Sequence, residues 1–225
     1  MASVTERLLA HNFRVIAPCL AGHGGTIDDL EQSTWRDWYE TVRSAYRSLR
    51  REVEQVYFAG LSMGTLLGLK LACDEGWGIR ALALMSTALE LSCWSRVSVP
   101  IVRYTPLRYF ITSIGKDATA SVGDPEGRRL YMQYSLQRFP ARAVFELADL
   151  QKTVRRELAQ IAHPLLLIHA KEDAVTPYHN VELIKRGVAS KTLEVVTLQR
   201  SRHVIPLDYE QSAAADHVVQ FFSKV

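Results

Sequence analysis

Five short stretches of the chain are predominantly apolar: Arg14–Pro18, Val56–Gly60, Ala81–Met85, Pro164–Ala170 and Leu193–Leu198. A strand with one wet face alternates apolar and polar side chains. These largely do not, so each reads as a strand buried on both faces. Pro18 ends the first, because proline has no N–H to give to a ladder. Helically spaced segments separate the strands, beginning with Ser3–Ala10. Ser33 or Thr34 can cap the next, on which Trp35, Trp38, Tyr39, Val42, Ala45, Tyr46 and Leu49 share one apolar face. Thr65–Cys73, the stretch around Val181–Gly187 and Ala213–Phe222 complete the set. Strand and helix in alternation predict an α/β fold, a mostly parallel sheet with helices on both faces.

The alternation lapses between Leu91 and Glu157. That stretch is rich in aromatics, among them Trp94, Tyr104, Tyr109, Phe110, Tyr131, Tyr134, Phe139 and Phe145, and Gly123–Gly127 breaks it in two. It reads as an insertion of several short helices, a cap of residues 91–157 on a core made from residues 1–90 and 158–225. The cap carries eleven Lys and Arg against six Asp and Glu, with sixteen against eighteen elsewhere. A basic segment of this kind is a solvated helical surface or a feature that attracts anionic substrates or membrane surfaces.

Composition narrows the classes. With 225 residues the chain makes one domain, or one domain carrying a large insertion. At 48% hydrophobic and 23% charged residues it is too apolar for intrinsic disorder. No apolar run approaches the roughly 18 residues that span a bilayer, so an integral membrane protein is not expected. A net charge of +3 does not argue for nucleic acid. Cys19, Cys73 and Cys93 cannot all pair and share no metal-ligand spacing, and residues 1–7 lack the plan of a secretory signal. A reduced, cytoplasmic setting is the expectation. Oligomeric state is left open.

The chemistry begins at Gly60-Leu61-Ser62-Met63-Gly64, which follows a predicted strand and precedes a predicted helix. That context is what a nucleophile elbow requires: a sharp turn that lifts the serine hydroxyl clear of the sheet's carboxyl edge. Both flanking glycines are expected where the chain packs too closely for a β-carbon. The turn also puts Ser62 at a helix N-terminus, whose dipole favours developing negative charge.

A serine needs a base, and the elbow fold orders its partners nucleophile, acid, histidine. Asp173 follows the strand ending at Ala170, and His203 follows the strand ending at Leu198. In a parallel sheet both loops share the edge of Ser62. Glu172 is a rival acid. His217 reads as an ordinary helix residue and His169 as a satisfied core imidazole, while His11, His163 and His179 carry no partner signal. His23, between Gly22 and Gly24, reads as a brace of its loop rather than a lining of the site. No His-Glu-x-x-His or paired-cysteine pattern supports a metal, and no Gly-x-Gly-x-x-Gly after a strand implies a dinucleotide.

With these pieces the chain resembles the α/β-hydrolase superfamily, and within it bacterial carboxylesterases and monoacylglycerol lipases. The resemblance is carried by Ala17-Pro18 through Gly22-His23-Gly24, Thr34-Trp35-Arg36-Asp37-Trp38, Gly60–Gly64, Glu172-Asp173 and Ser201–Ile205. It implies Ser62 as nucleophile, His203 as general base, Asp173 as the orienting acid and the Met63 N–H as one oxyanion donor. It implies a small-molecule ester substrate, short or medium acyl esters or monoglycerides, and no cofactor; a thioester or amide remains open. The aromatic cap is expected to form an apolar acyl pocket and a mobile lid. Members of the superfamily also carry a β-hairpin and a further strand ahead of the helix matching Ser3–Ala10. That strand ends in a His-Gly loop holding a second oxyanion donor and lies between the strands matching Arg14–Pro18 and Val56–Gly60. The expectation is a shortened N-terminus with those two strands either gapped or paired directly, and with activity impaired. A non-catalytic hydrolase scaffold is the alternative.

Overall fold

A computed structural model describes residues 1–225. Helix α1 (Ala2–Ala10) leads through an irregular stretch into α2 (Ile27–Gln32) and α3 (Trp35–Arg50). Strand β1 (Val56–Leu61), α4 (Met63–Glu75) and β2 (Ile79–Met85) form the first strand–helix–strand unit. Then come α5 (Cys93–Tyr104), β3 (Ser113–Gly115), α6 (Ala118–Ser121), α7 (Pro125–Tyr134), β4 (Arg138–Pro140) and α8 (Ala141–Glu157). The chain closes with β5 (Leu165–Ala170), α9 (His179–Gly187), β6 (Leu193–Leu198) and α10 (Gln211–Lys224).

Strands β1, β2, β5 and β6 lie side by side in that order, all parallel. Alternate residues of the apolar strands serve opposite faces. Leu82, Leu84, Leu165 and Leu167 pack into one cluster with α3, α4, α8 and α9. Ala81, Ala83, Met85, Leu166 and Ile168 pack into a second with α1 and α10. Two buried faces are why these strands are apolar throughout, and each fully buried leucine contributes about 1.5–3 kcal/mol. No helix is long and apolar enough to cross a membrane.

Three expectations need correction. Arg14–Pro18 is not a strand: it is irregular and largely exposed, with no backbone hydrogen bond. It neither joins the sheet nor pairs with β1, which pairs with β2 alone. Val15, like Phe13 before it, packs toward the second cluster, but Ile16 is 40% exposed, so Val15 alone of the run is partly buried. Second, the segment after Leu91 is not made only of short helices. Helix α8 has 17 residues and sends Ala143, Leu150 and Val154 into the first cluster. A three-residue antiparallel ladder, β3 with β4, also occurs there. Third, α2 was not anticipated, although Thr26 and Asp29 form a capping box at its start. Thr34, not Ser33, caps α3 through a matching box with Asp37, while Ser33 Oγ accepts the Trp38 indole N–H at 2.8 Å.

Candidate active site

Ser62 sits between the end of β1 and the start of α4 with φ 53° and ψ −121°. Such a backbone is strained for a residue with a side chain and persists only where its surroundings over-determine it. The Ser62 N–H donates to Met85 O at 2.9 Å. Ser62 O accepts from the Thr65 N–H at 3.0 Å and the Thr65 hydroxyl at 2.5 Å. A β-carbon on Gly60 would lie 2.9 Å from the carbonyl carbon and oxygen of Gly64. A β-carbon on Gly64 would meet nothing within 4 Å. The steric demand expected at both glycines therefore falls on Gly60 alone. Met63 opens α4, and its N–H has no backbone acceptor, as the first residues of a helix require.

Because the sheet is parallel, β1, β5 and β6 end at one edge, and the three loops beyond them meet there. His203 Nε2 lies 2.9 Å from Ser62 Oγ. His203 Nδ1 lies 2.9 Å from Asp173 Oδ2. With Nδ1–H donating to the carboxylate, Nε2 carries the free lone pair and accepts the serine O–H. Asp173 and His203 stand 111 and 141 positions after Ser62 in the sequence, so their meeting does not arise by local order. Here β1 and β6 are the outer strands; Asp173 is the third residue beyond β5 and His203 the fifth beyond β6.

The Asp173 carboxylate is fully buried and fully hydrogen-bonded. Oδ1 accepts the backbone N–H groups of Val175 at 2.9 Å and Thr176 at 2.8 Å. Oδ2 accepts the Thr176 hydroxyl at 2.9 Å in addition to His203. Burial alone would raise its pKa. The hydrogen bond and charge of His203, with the Thr176 N–H, outweigh burial and hold the carboxyl below its ordinary value. The group therefore stays ionised beside the imidazole. Thr176 also lies 3.2 Å from His203 Nδ1. Nothing in the sequence alone marks this threonine, since the Asx-type turn of Asp173 is made with the Val175 N–H two residues on.

Two further carboxylates, the buried Asp208 and the half-buried Glu210, also fix the histidine loop. Asp208 accepts four backbone N–H groups, from Gly123, Asp124, Arg202 and Tyr209, all at 2.8–2.9 Å. It thereby joins the residue before His203 to the segment between α6 and α7. Glu210 accepts the N–H groups of Arg200 at 2.9 Å and Ser201 at 2.8 Å. Ser86, at the end of β2, has φ 46° and a buried hydroxyl with no partner.

The rival residues fall elsewhere. Glu172 is exposed and Asp173 faces the histidine. His169 Nε2 donates to Thr176 O at 2.7 Å, and burial lowers its pKa, so it is a neutral core imidazole. His163 bonds Gly76 O and His11 bonds Arg7 O. His179, read as partnerless, lies 3.0 Å from the Glu90 carboxylate. His217 is a half-buried residue of α10. His23 braces its loop through Ala21 O at 3.0 Å, with its ring edge-on to Trp38. Of the cap aromatics, Trp94, Tyr104, Tyr109, Phe110 and Tyr134 are 68–81% exposed, so they do not line an interior acyl pocket. No three His, Cys, Asp or Glu side chains stand together as a metal site.

A parallel sheet covered on both faces, with a strained serine at a strand–helix turn facing a histidine and a buried aspartate, defines the α/β-hydrolase fold. The family model for serine aminopeptidase, S33, matches residues 1–210, and the chain belongs to that family of hydrolases. It is similar to the thermostable monoacylglycerol lipase of Bacillus sp. (strain H-257), 28% identical over 224 residues, covering 100% of this chain and 85% of that one. It is similar to a carboxylesterase of Bacillus subtilis (strain 168), 24% identical over 210 residues, covering 93% and 80%. Among solved structures, one from a report on the metagenome-derived lipolytic enzymes LipS and LipT superposes with a TM-score of 0.85 at 25% identity, over 100% and 88% of the two chains. The monoacylglycerol lipase of Paleococcus ferrophilus gives 0.81 at 17% identity, over 98% and 87%.

Proposed function

We propose that this protein hydrolyses carboxylic esters through an acyl-enzyme on Ser62. The observation that carries the reading is the unbroken line of contacts, Ser62 Oγ to His203 Nε2 and His203 Nδ1 to Asp173, each 2.9 Å. Ser62 Oγ attacks the ester carbonyl as its proton passes to His203 Nε2. Asp173 holds the ring in the tautomer that can accept that proton and stabilises the imidazolium that results. The Met63 N–H, at the positive end of α4, faces the oxygen on which negative charge develops. The alcohol leaves with the proton from Nε2. A water molecule, giving its proton to the same nitrogen, releases the carboxylic acid and restores Ser62. No cofactor takes part in this scheme.

Monoacylglycerols and short or medium acyl esters are the substrates we infer, from the similarity to a monoacylglycerol lipase and a carboxylesterase. Residues 91–157 would act as the cap over the site, tied to the His203 loop through Asp208. The family's description as serine aminopeptidases supports an amide reading as well. Both are tested together. The purified protein is assayed on p-nitrophenyl butyrate, a monoacylglycerol and an aminoacyl p-nitroanilide, each against Ser62→Ala. Ester turnover lost in Ser62→Ala supports the proposal. Turnover of the anilide alone supports the amide reading, and no turnover above the control on any substrate supports a non-catalytic scaffold.

A further inference from the structure

Seven lysines occur in the chain. Lys70, Lys185 and Lys224 each meet a carboxylate at 2.6–2.9 Å. Lys152, Lys171 and Lys191 are exposed. Lys116 belongs to neither group. It follows β3, is half-buried, and its ammonium forms no ion pair. Nζ lies 4.2 Å from the centroid of the Phe139 ring on β4 and 5.0 Å from that of Tyr131 on α7. The β3–β4 ladder fixes this placement: Ile114 pairs with Phe139, and the Lys116 N–H donates to Gln137 O at 3.1 Å. Phe139 packs in turn against the first core cluster, so the aromatic box is anchored to the core.

No carboxylate answers this ammonium. Asp117, next in the chain, turns Oδ1 to the N–H groups of Thr119 and Ala120 and to the Thr119 hydroxyl. Arg138 of β4 is drawn to Ser113. Burial raises the pKa of Tyr131, which stays a neutral phenol. Burial first, and the Lys116 charge after it, lower the pKa of His23 against its hydrogen bond to Ala21 O, so that ring adds no anion either. The ring faces return part of the hydration the ammonium loses. Burial still lowers the Lys116 pKa to about 8. At pH 7 about a tenth of Lys116 is then free amine, against about 0.04% of a lysine at the ordinary 10.4.

We propose that Lys116, boxed by Phe139 and Tyr131, is a nucleophilic amine that takes an acyl group from thioesters. A lysine desolvated in an apolar pocket is an activated nucleophile. Nζ attacks the thioester carbonyl, the C–N bond forms and the C–S bond breaks. The proton that the nitrogen sheds goes to the leaving thiolate, and nothing is oxidised or reduced. The product amide is neutral, so the box exchanges a poorly hydrated cation for a group that costs less to bury. The acyl chain then lies against the two rings. A carbamate formed from carbon dioxide would instead put an anion against ring faces that repel it. The proposal stands apart from ester hydrolysis at Ser62, because the acyl group passes directly to nitrogen.

The test is incubation of the purified protein with the butyryl thioester of N-acetylcysteamine at pH 7, then digestion and quantitative mass spectrometry of each lysine. Ser62→Ala is run beside wild type, so that hydrolysis at Ser62 cannot consume the reagent. In both proteins Lys116 should be butyrylated at least about tenfold faster than Lys152, Lys171 or Lys191. Its rate should rise about tenfold per pH unit below pH 8 and level off above it. Phe139→Ser, verified as folded by thermal melting, opens the box and should bring Lys116 down to the rate of the exposed lysines. Tyr131→Phe keeps both rings and should keep the rate. Equal rates at Lys116 and the exposed lysines overturn the proposal, as does a Lys116 rate that keeps climbing through about pH 9.5. Butyrylation in wild type and not in Ser62→Ala also overturns it, by showing that the acyl group arrives by way of Ser62. Should Phe139→Ser unfold, the pH profile of the wild-type protein decides by itself.

Discussion

Replacing Asp173 by asparagine keeps the shape of the buried side chain and reverses what it tells the histidine. The two backbone N–H groups of Val175 and Thr176 at Oδ1 require an acceptor there. The amide oxygen must take that place, because turning the NH₂ toward two donors would cost about 1–3 kcal/mol for each group left unpaired. The NH₂ then occupies the Oδ2 position, 2.9 Å from His203 Nδ1. An N–H there demands that Nδ1 accept, so the ring proton moves to Nε2 and the nitrogen facing Ser62 becomes a donor. A serine that has lost its base is expected to lose about 10⁴-fold in kcat, or about 5.4 kcal/mol of transition-state stabilisation. KM for a p-nitrophenyl ester should change little, because the aspartate does not touch the substrate. The assay is steady-state turnover of p-nitrophenyl butyrate, with near-ultraviolet circular dichroism to verify the fold. A folded Asp173→Asn protein that keeps more than a tenth of wild-type kcat would refute the tautomer argument.

Thr176→Val removes the hydroxyl that donates to Asp173 Oδ2 and leaves both backbone donors in place. Loss of one hydrogen bond to a buried carboxylate should lower stability by about 1.5–3 kcal/mol in urea titration, with kcat falling roughly tenfold as the carboxylate loses its orientation. Gly60→Ala should abolish soluble folded protein or activity, since its methyl would stand 2.9 Å from the Gly64 backbone, whereas Gly64→Ala should keep the fold. Equal tolerance of the two, measured by thermal melting and turnover, would contradict the one-sided packing. Burial, with the Glu157 carboxylate nearby, pushes the Cys73 thiol up to about 11. At pH 8 a disulfide reagent should therefore titrate the exposed Cys19 and Cys93 quickly and Cys73 only after denaturation. The Cys73 rate should rise about tenfold per pH unit toward 11, because only the thiolate reacts.

What sequence can reveal here follows the range of the forces involved. The Gly60–Gly64 turn is legible because strand, glycine, serine and helix are neighbours in the chain. The places of Asp173 and His203 are legible because a parallel sheet sends every loop after a strand to one edge. Arg14–Pro18 misleads because apolar composition does not disclose whether a neighbouring strand is there to complete the ladder. The cap aromatics mislead for a related reason: Trp94 and Tyr104 have the spacing of a buried helical face, and only the burial of Val99 shows that the opposite face is the inner one. Thr176 and Asp208 are recognised only when distant segments meet, since the first acts through Asp173 on His203 and the second spans from Arg202 to Gly123.

The claim that Ser62 is the nucleophile meets its most direct test in labelling with a fluorophosphonate, which bonds an activated serine and spares an ordinary one. Digestion and mass spectrometry of the labelled wild-type protein should place one adduct on the peptide containing Ser62, and Ser62→Ala and His203→Ala should take up none. Labelling of Ser62→Ala to the same extent as wild type, or an adduct on another serine, would contradict the account.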